Sequence, residues 1–202
     1  MRGDTHFAIG AGCASAALML GGVALGVPIM NTSFETALLF GGIGGLAPDI
    51  DIKNSKGFKI ASIVQIVICT IFIALTTMYL FKDKGQAIGY VSMFSKELLI
   101  CVGLMIFIIA GKRDSHRGIT HSFVSLMFTT LCILAIGKTE GIMWAIGYAT
   151  HLLIDLLNTK GEMLLWPKRH RYCLKLCKSD GLVNRVLLFV GLITIVCVFR
   201  LL

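Results

Sequence analysis

The chain has 202 residues, of which 56% are hydrophobic and only 15% charged, and its mean hydropathy is +0.83. Soluble domains run at about 45–50% apolar and about 25% charged, so this composition excludes an ordinary water-soluble domain. The formal net charge of +8 does not mark a nucleic-acid binder, because the basic residues are spread through short loops between apolar runs, where they orient a membrane protein.

The first apolar run, about residues 7–30, follows a polar head carrying Asp4 and His6. It is too long for the apolar region of a signal peptide and is read as a retained first span. The second run, about 35–48, is short and leads into FGGIGGLAPDI. Glycines 41, 42, 44 and 45 would let another helix approach its backbone closely. Pro48 favours an extended Ala47, which would end the helix and turn Asp49 and Asp51 towards a shared centre. The third and fourth runs cover about 59–81 and 88–110, and Lys96 and Glu97 place the outer part of the fourth at the membrane interface. Runs at about 118–137, 141–157 and 182–201 complete the set. The expected fold is all-α: one membrane domain over 1–202, a polytopic transmembrane helical bundle of about six or seven spans, one of them short or re-entrant.

Alternating seven spans puts fourteen Lys and Arg residues on one side and four (Lys82, Lys84, Lys138 and Arg200) on the other, with Lys96 unassigned. The positive-inside rule makes the fourteen-residue side cytoplasmic. Five of the seven cysteines lie in apolar runs as small hydrophobes; Cys173 and Cys177 sit four apart in a basic loop without the second pair a zinc knuckle needs.

The unusual polar residues all fall at cytoplasmic helix ends. His6 opens the first run, Asp49 and Asp51 close the second, His116 and His121 open the fifth, and His151 and Asp155 close the sixth. The charge count used no histidine or aspartate, so their convergence is independent of it. Taken singly, each would pass as an ordinary interfacial residue; seven at one face point to a metal site. His151 and Asp155, four apart, share a helix face. Imidazole and carboxylate donors suit zinc, and also manganese or iron. Four histidines and three aspartates exceed one tetrahedral shell, which leaves open two ions, or one ion with acid–base helpers. His170, in WPKRHRY, lies outside the pattern.

THFAIG, APDID, HRGITHS and HLLIDLLNTKGEMLLWP, in this order over about residues 5–167, resemble the YdjM-type family of membrane-bound metal-dependent hydrolases. The resemblance carries His6, Asp49, Asp51, His116, His121, His151 and Asp155 over as metal-site residues and implies hydrolysis without settling a substrate.

The expected activity is hydrolysis of a phospholipid or other lipid phosphoester at the cytoplasmic membrane surface by metal-activated water. Asp51 and His116 are the candidate catalytic proton carriers. Arg117, with Lys168 or Arg169, is the candidate substrate-binding set, since guanidinium forks onto phosphate, and Trp166 suits the interface. Membrane lipid is the expected partner. A metal-dependent lipid amidase or ester hydrolase is the second expectation. A metal transporter or sensor is the third, disfavoured because transporters usually hold ions near the midplane.

Overall fold

The computed structural model describes residues 1–25, 31–81 and 84–201. Among them are eight α-helices: α1 (Gly3–Leu25), α2 (Asn31–Leu46), α3 (Lys56–Phe81), α4 (Lys84–Met93), α5 (Ser95–Arg113), α6 (Phe123–Leu134), α7 (Lys138–Leu156) and α8 (Leu182–Leu201). Two 3₁₀ turns, Ala47–Asp51 and Ile119–His121, link α2 to α3 and precede α6. The end of the first apolar run (26–30) and Lys82 lie outside the described residues.

The all-α expectation holds. The expected count of six or seven spans is not reached by length and composition: among the described residues only Lys56–Leu80 and Leu182–Leu201 qualify, or up to three spans if the bent pair α4–α5 is one. At about 1.5 Å per residue, α2 (16 residues) and α6 (12 residues) are about 24 and 18 Å long, short of the roughly 30 Å hydrocarbon core. Both are shortened by the segments that carry the candidate ligands, APDID after α2 and HRGITHS before α6. The fourth run breaks between Met93 and Ser95 with a 77° bend, next to Lys96 and Glu97. Ala47 does not extend as expected: the chain goes from α2 straight into the 3₁₀ turn, where Pro48, at its start, lacks only an N–H the turn does not use.

Large apolar side chains point outward. Leu20, Met93, Leu99, Leu182 and Phe199 are 64–76% exposed. Such a surface is unfavourable in water and suits lipid. Inside, α1 packs against α2, α7 and α8, α2 also against α7, and α6 against α7. Trp144, Tyr148 and Leu152 of α7 meet Phe107 and Ile108 of α5 and Ile50 of the 3₁₀ turn in the main core.

Helices α1, α2 and α7 meet through glycine. A Cβ at Gly45 would fall less than 3.0 Å from the His6 carbonyl oxygen, and one at Gly147 would do the same against the Gly41 carbonyl. These backbones touch because no side chain stands between them, as the glycine-rich second run suggested. Gly45→Ala and Gly147→Ala are therefore expected to destabilise the protein by about 1–3 kcal/mol, the usual cost of overpacking. Gly89→Ala on α4, where a Cβ meets nothing within 4 Å, should be neutral or slightly stabilising. Thermal unfolding of the three variants in detergent checks this ordering, and equal midpoints would contradict it.

Candidate metal centre

Four segments deliver the site, each fixed by its own local chemistry. His6 lies in the first turn of α1. The 3₁₀ turn after α2 presents Asp49, and its carbonyl accepts bonds from Ser55 Oγ (2.6 Å) and the Ile52 N–H (3.2 Å). Just ahead of HRGITHS, Asp114 accepts the N–H groups of Ser115 (2.7 Å) and of Ile119 within the motif. Gly118 has no room for a Cβ beside that Asp114 carboxylate. Arg117 takes a left-handed φ of 63°, uncommon for a non-glycine residue and often a sign of a functional segment. Ser122 caps α6 by accepting the Ser125 N–H (3.3 Å), and Tyr148 donates its hydroxyl to the Thr120 carbonyl. On α7, His151 and Asp155 stand one turn apart.

The structure brings six of the seven expected residues together in the interior and sets the seventh, His116, at the rim. His121 and His151 are 0% exposed, His6 1%, Asp155 2% and Asp49 6%. Two groups of three, His6–His151–Asp155 and Asp49–His121–His151, each place one donor atom per residue within 4.8 Å of the others. His151 belongs to both.

The ring nitrogens decide what the cluster can hold. His151 Nδ1 lies 2.7 Å from the Gly45 carbonyl, so it carries the proton and leaves the Nε2 lone pair facing the centre. His121 Nδ1 has Thr120 Oγ1 at 3.1 Å and the Asp51 carboxylate at 3.6 Å, a negative charge that favours the proton on that nitrogen too. Its Nε2 then faces His151 Nε2 across 3.3 Å. Two lone pairs at that distance repel unless a cation lies between them. Nitrogens bound at about 2.0–2.1 Å to one tetrahedral zinc stand about 3.3–3.4 Å apart, so the spacing fits. His6 stacks on His151 with centroids 3.7 Å apart and holds Nε2 3.3 Å from Asp155 Oδ1. Neither of its ring nitrogens makes an aligned hydrogen bond. Asp49 Oδ1 lies 3.8 Å from His151 Nε2 and 4.0 Å from His121 Nε2. A buried His6 nitrogen without an aligned partner beside the Asp155 carboxylate is what a divalent ion would satisfy.

The remaining expected residues take other places. Asp51 is in neither group of three; it stands behind His121, and its Oδ2 accepts the Arg117 backbone N–H (2.6 Å). His116 is also in neither group: its side chain is 43% exposed, with Nδ1 3.3 Å from Asp51 Oδ2. Arg117 is buried, and its guanidinium donates to Asp155 Oδ2 and the Lys160 carbonyl. The Met1 ammonium donates to Asp155 Oδ1 (2.6 Å). Lys168 and Arg169 are exposed on the following loop. His170 is exposed as well, against Tyr172.

Sequence reasoning missed Glu162. It is 0% exposed, and neither carboxylate oxygen has a hydrogen-bond partner. Burial, and then the Asp155 charge, push its carboxyl up to about 9. Its backbone pairs with Tyr172 (3.0 and 2.9 Å), and the next N–H, of Met163, donates to the Arg117 carbonyl (3.2 Å). The sequence held one signal, an acid inside the stretch between HLLID and Trp-Pro, but a solvated loop acid reads the same way.

The model of the YdjM inner membrane protein family matches residues 1–201. Among curated proteins, the inner membrane protein YdjM of Escherichia coli (strain K12) and that of Shigella flexneri are each 35% identical over 72 residues. Each match covers 31% of this chain and 35% of the relative, so the chain spans about a third of the length of the curated relatives it matches. No solved structure matches it. The family match over nearly the whole chain, joined to apolar helices able to cross a bilayer, places the protein in the inner membrane as a member of the YdjM inner membrane protein family.

Proposed function

We propose that this protein is a membrane-embedded hydrolase using one divalent ion, zinc by its donor set with manganese or iron also suited, to cleave a lipid phosphoester at the cytoplasmic surface. The observation that carries this reading is the facing pair His121 Nε2 and His151 Nε2, 3.3 Å apart in the interior. One ion is proposed rather than two because the two groups of three share a single nitrogen. His151 Nδ1 is committed to Gly45, so only Nε2 can bind. Such an ion, when bound, supplies Lewis acidity and makes water acidic enough to attack near neutral pH.

The protein's own residues supply the rest. Asp51 orients His121 from behind, the kind of support that fixes a ligand's tautomer. His116, exposed and hydrogen-bonded to Asp51, connects the buried cluster to solvent and carries the proton. Lys168 and Arg169, exposed near Trp166 (37% exposed), meet the headgroup. Arg117 is committed to Asp155 and Lys160, which weakens the case for a three-residue phosphate clamp. That commitment favours, as the second reading, an ester or amide substrate whose carbonyl needs polarisation instead. We read α1, α2, α6 and α7 as further crossings around the site, giving seven with α4–α5 as one and the site on the cytoplasmic face.

Three outcomes are expected. By equilibrium dialysis in detergent, His121→Ala and His151→Ala should each weaken zinc binding by more than about tenfold, the least that losing even a group supporting a ligand typically costs. His170→Ala should leave it unchanged. Zinc content indifferent to both ligand changes would mean the site is misassigned.

His116→Ala should keep its zinc yet lower hydrolysis of phospholipid in mixed vesicles by about 10²-fold, the loss typical of a proton carrier. Zinc lost with the side chain would make His116 a ligand instead, and full turnover would remove it from the site. If hydrolysis survives loss of both Lys168 and Arg169, the ester or amide reading gains.

Single cysteines at positions 112 and 168 should be shielded from an impermeant reagent in intact cells, and one at 138 should label. Equal labelling at 112 and 138 would overturn the proposed alternation.

A further inference from the structure

Arg117 and Glu162 form an unbalanced pair inside the protein. Arg117 is 3% exposed; its guanidinium reaches Asp155 Oδ2 and the Lys160 carbonyl, while its Nε has no partner. Glu162, two residues beyond Lys160, is 0% exposed with both oxygens unpartnered. The same loop ties itself to Arg117 twice, through the Lys160 carbonyl and the Met163 N–H. Asp155 and Arg117 are the side chains whose charges act on Glu162. A buried carboxyl without a partner is costly and calls for a physical reason.

Besides the Met1 ammonium on its Oδ1 (2.6 Å), Asp155 has two claimants. It is one of the three groups in His6–His151–Asp155, and it also binds the Arg117 guanidinium. A divalent ion on this carboxylate draws off its negative charge and repels the guanidinium. We propose that Glu162 is the second seat of Arg117: the guanidinium and a divalent ion are rivals for Asp155, and an ion bound there sends Arg117 to Glu162. This rests on the reading of the cluster as a metal centre. The Lys160 carbonyl, held by one guanidinium nitrogen, is the pivot, because Glu162 lies on the same strip of backbone. Asp51 is not the alternative seat, since it already holds the backbone N–H of Arg117, at the opposite end of that residue. As the guanidinium arrives, the carboxyl of Glu162 gives its proton to solvent. Glu162 is thus a positioning residue that acts on the centre through Arg117 and touches no ion.

The test is a double-variant cycle on the full chain in detergent, with zinc affinity read by competition against a chelating dye. Glu162→Gln should weaken zinc about tenfold, a coupling within the range for residues of one network. Glu162→Asp, which keeps the charge, should fall between the two. Arg117→Gln should tighten zinc by removing the rival. In the Arg117→Gln background, Glu162→Gln should have no further effect. If it weakens zinc there by the same factor, Glu162 acts without Arg117 and the proposal is overturned. Unchanged affinity in Glu162→Gln overturns it as well. Should Glu162→Gln fail to fold, Arg117→Gln decides alone: weaker or equal zinc binding sinks the rivalry. A wild-type chain that binds no divalent ion would instead overturn the metal reading, and this inference with it.

Discussion

One hydrogen bond joins the packing of this protein to its chemistry. The Gly45 carbonyl accepts the Nδ1–H of His151 at 2.7 Å, which fixes the imidazole tautomer and aims Nε2 at the centre. The bond exists only because α2 approaches both α1 and α7 at backbone distance. Gly45 has no room for a Cβ against His6, nor Gly147 against Gly41. The same contacts bring His6 onto the face of His151. Remove the close approach and the tautomer, the stacking and the ligand geometry are lost together.

The molecule pairs an apolar exterior with a buried polar interior. Buried charge is expensive unless paired and hydrogen-bonded, and here cations and anions are interleaved. Asp155 lies between the Met1 ammonium, Arg117 and His6. Asp51 lies between the Arg117 amide, His116 and His121. The helices that supply these groups give up length to do so. α2 stops at Leu46 because Ala47–Asp51 coils into a 3₁₀ turn, and α6 starts only at Phe123 because Ile119–His121 does the same; these turns carry Asp49 and His121. A bilayer tolerates such irregular backbone only where protein buries it; α3, α5 and α7 pack against the first turn and α5 and α6 against the second.

Much of this was legible in the sequence. The apolar runs gave the order of the helices, and the placement of His6, Asp49, His121, His151 and Asp155 at helix ends foretold their meeting, because helix ends on one side of a bundle share a plane. The glycines of the second run foretold the close approach. Less legible was the division of labour. Asp49 and Asp51 look equivalent in APDID, yet a 3₁₀ turn sends one to the ligand groups and the other behind His121. His116 and His121 look equivalent in HRGITHS, yet the left-handed turn at Arg117 leaves one at the rim. By length and composition only two or three helices among the described residues qualify as spans, because hydropathy does not register the helix lost to these turns. Glu162 was invisible because burial of a loop acid depends on how the loop folds back on Arg117, through the Lys160 carbonyl and the Met163 N–H, 43 and 46 positions away.

The central claim is that histidine and aspartate, not cysteine, hold a divalent ion in this protein. Zinc K-edge X-ray absorption on the loaded protein measures it most directly. A first shell of nitrogen and oxygen at about 2.0–2.1 Å with imidazole outer-shell scattering is the result this account requires. A sulfur shell at about 2.3 Å, which would assign the ion to Cys173 and Cys177 in the basic loop, would contradict it.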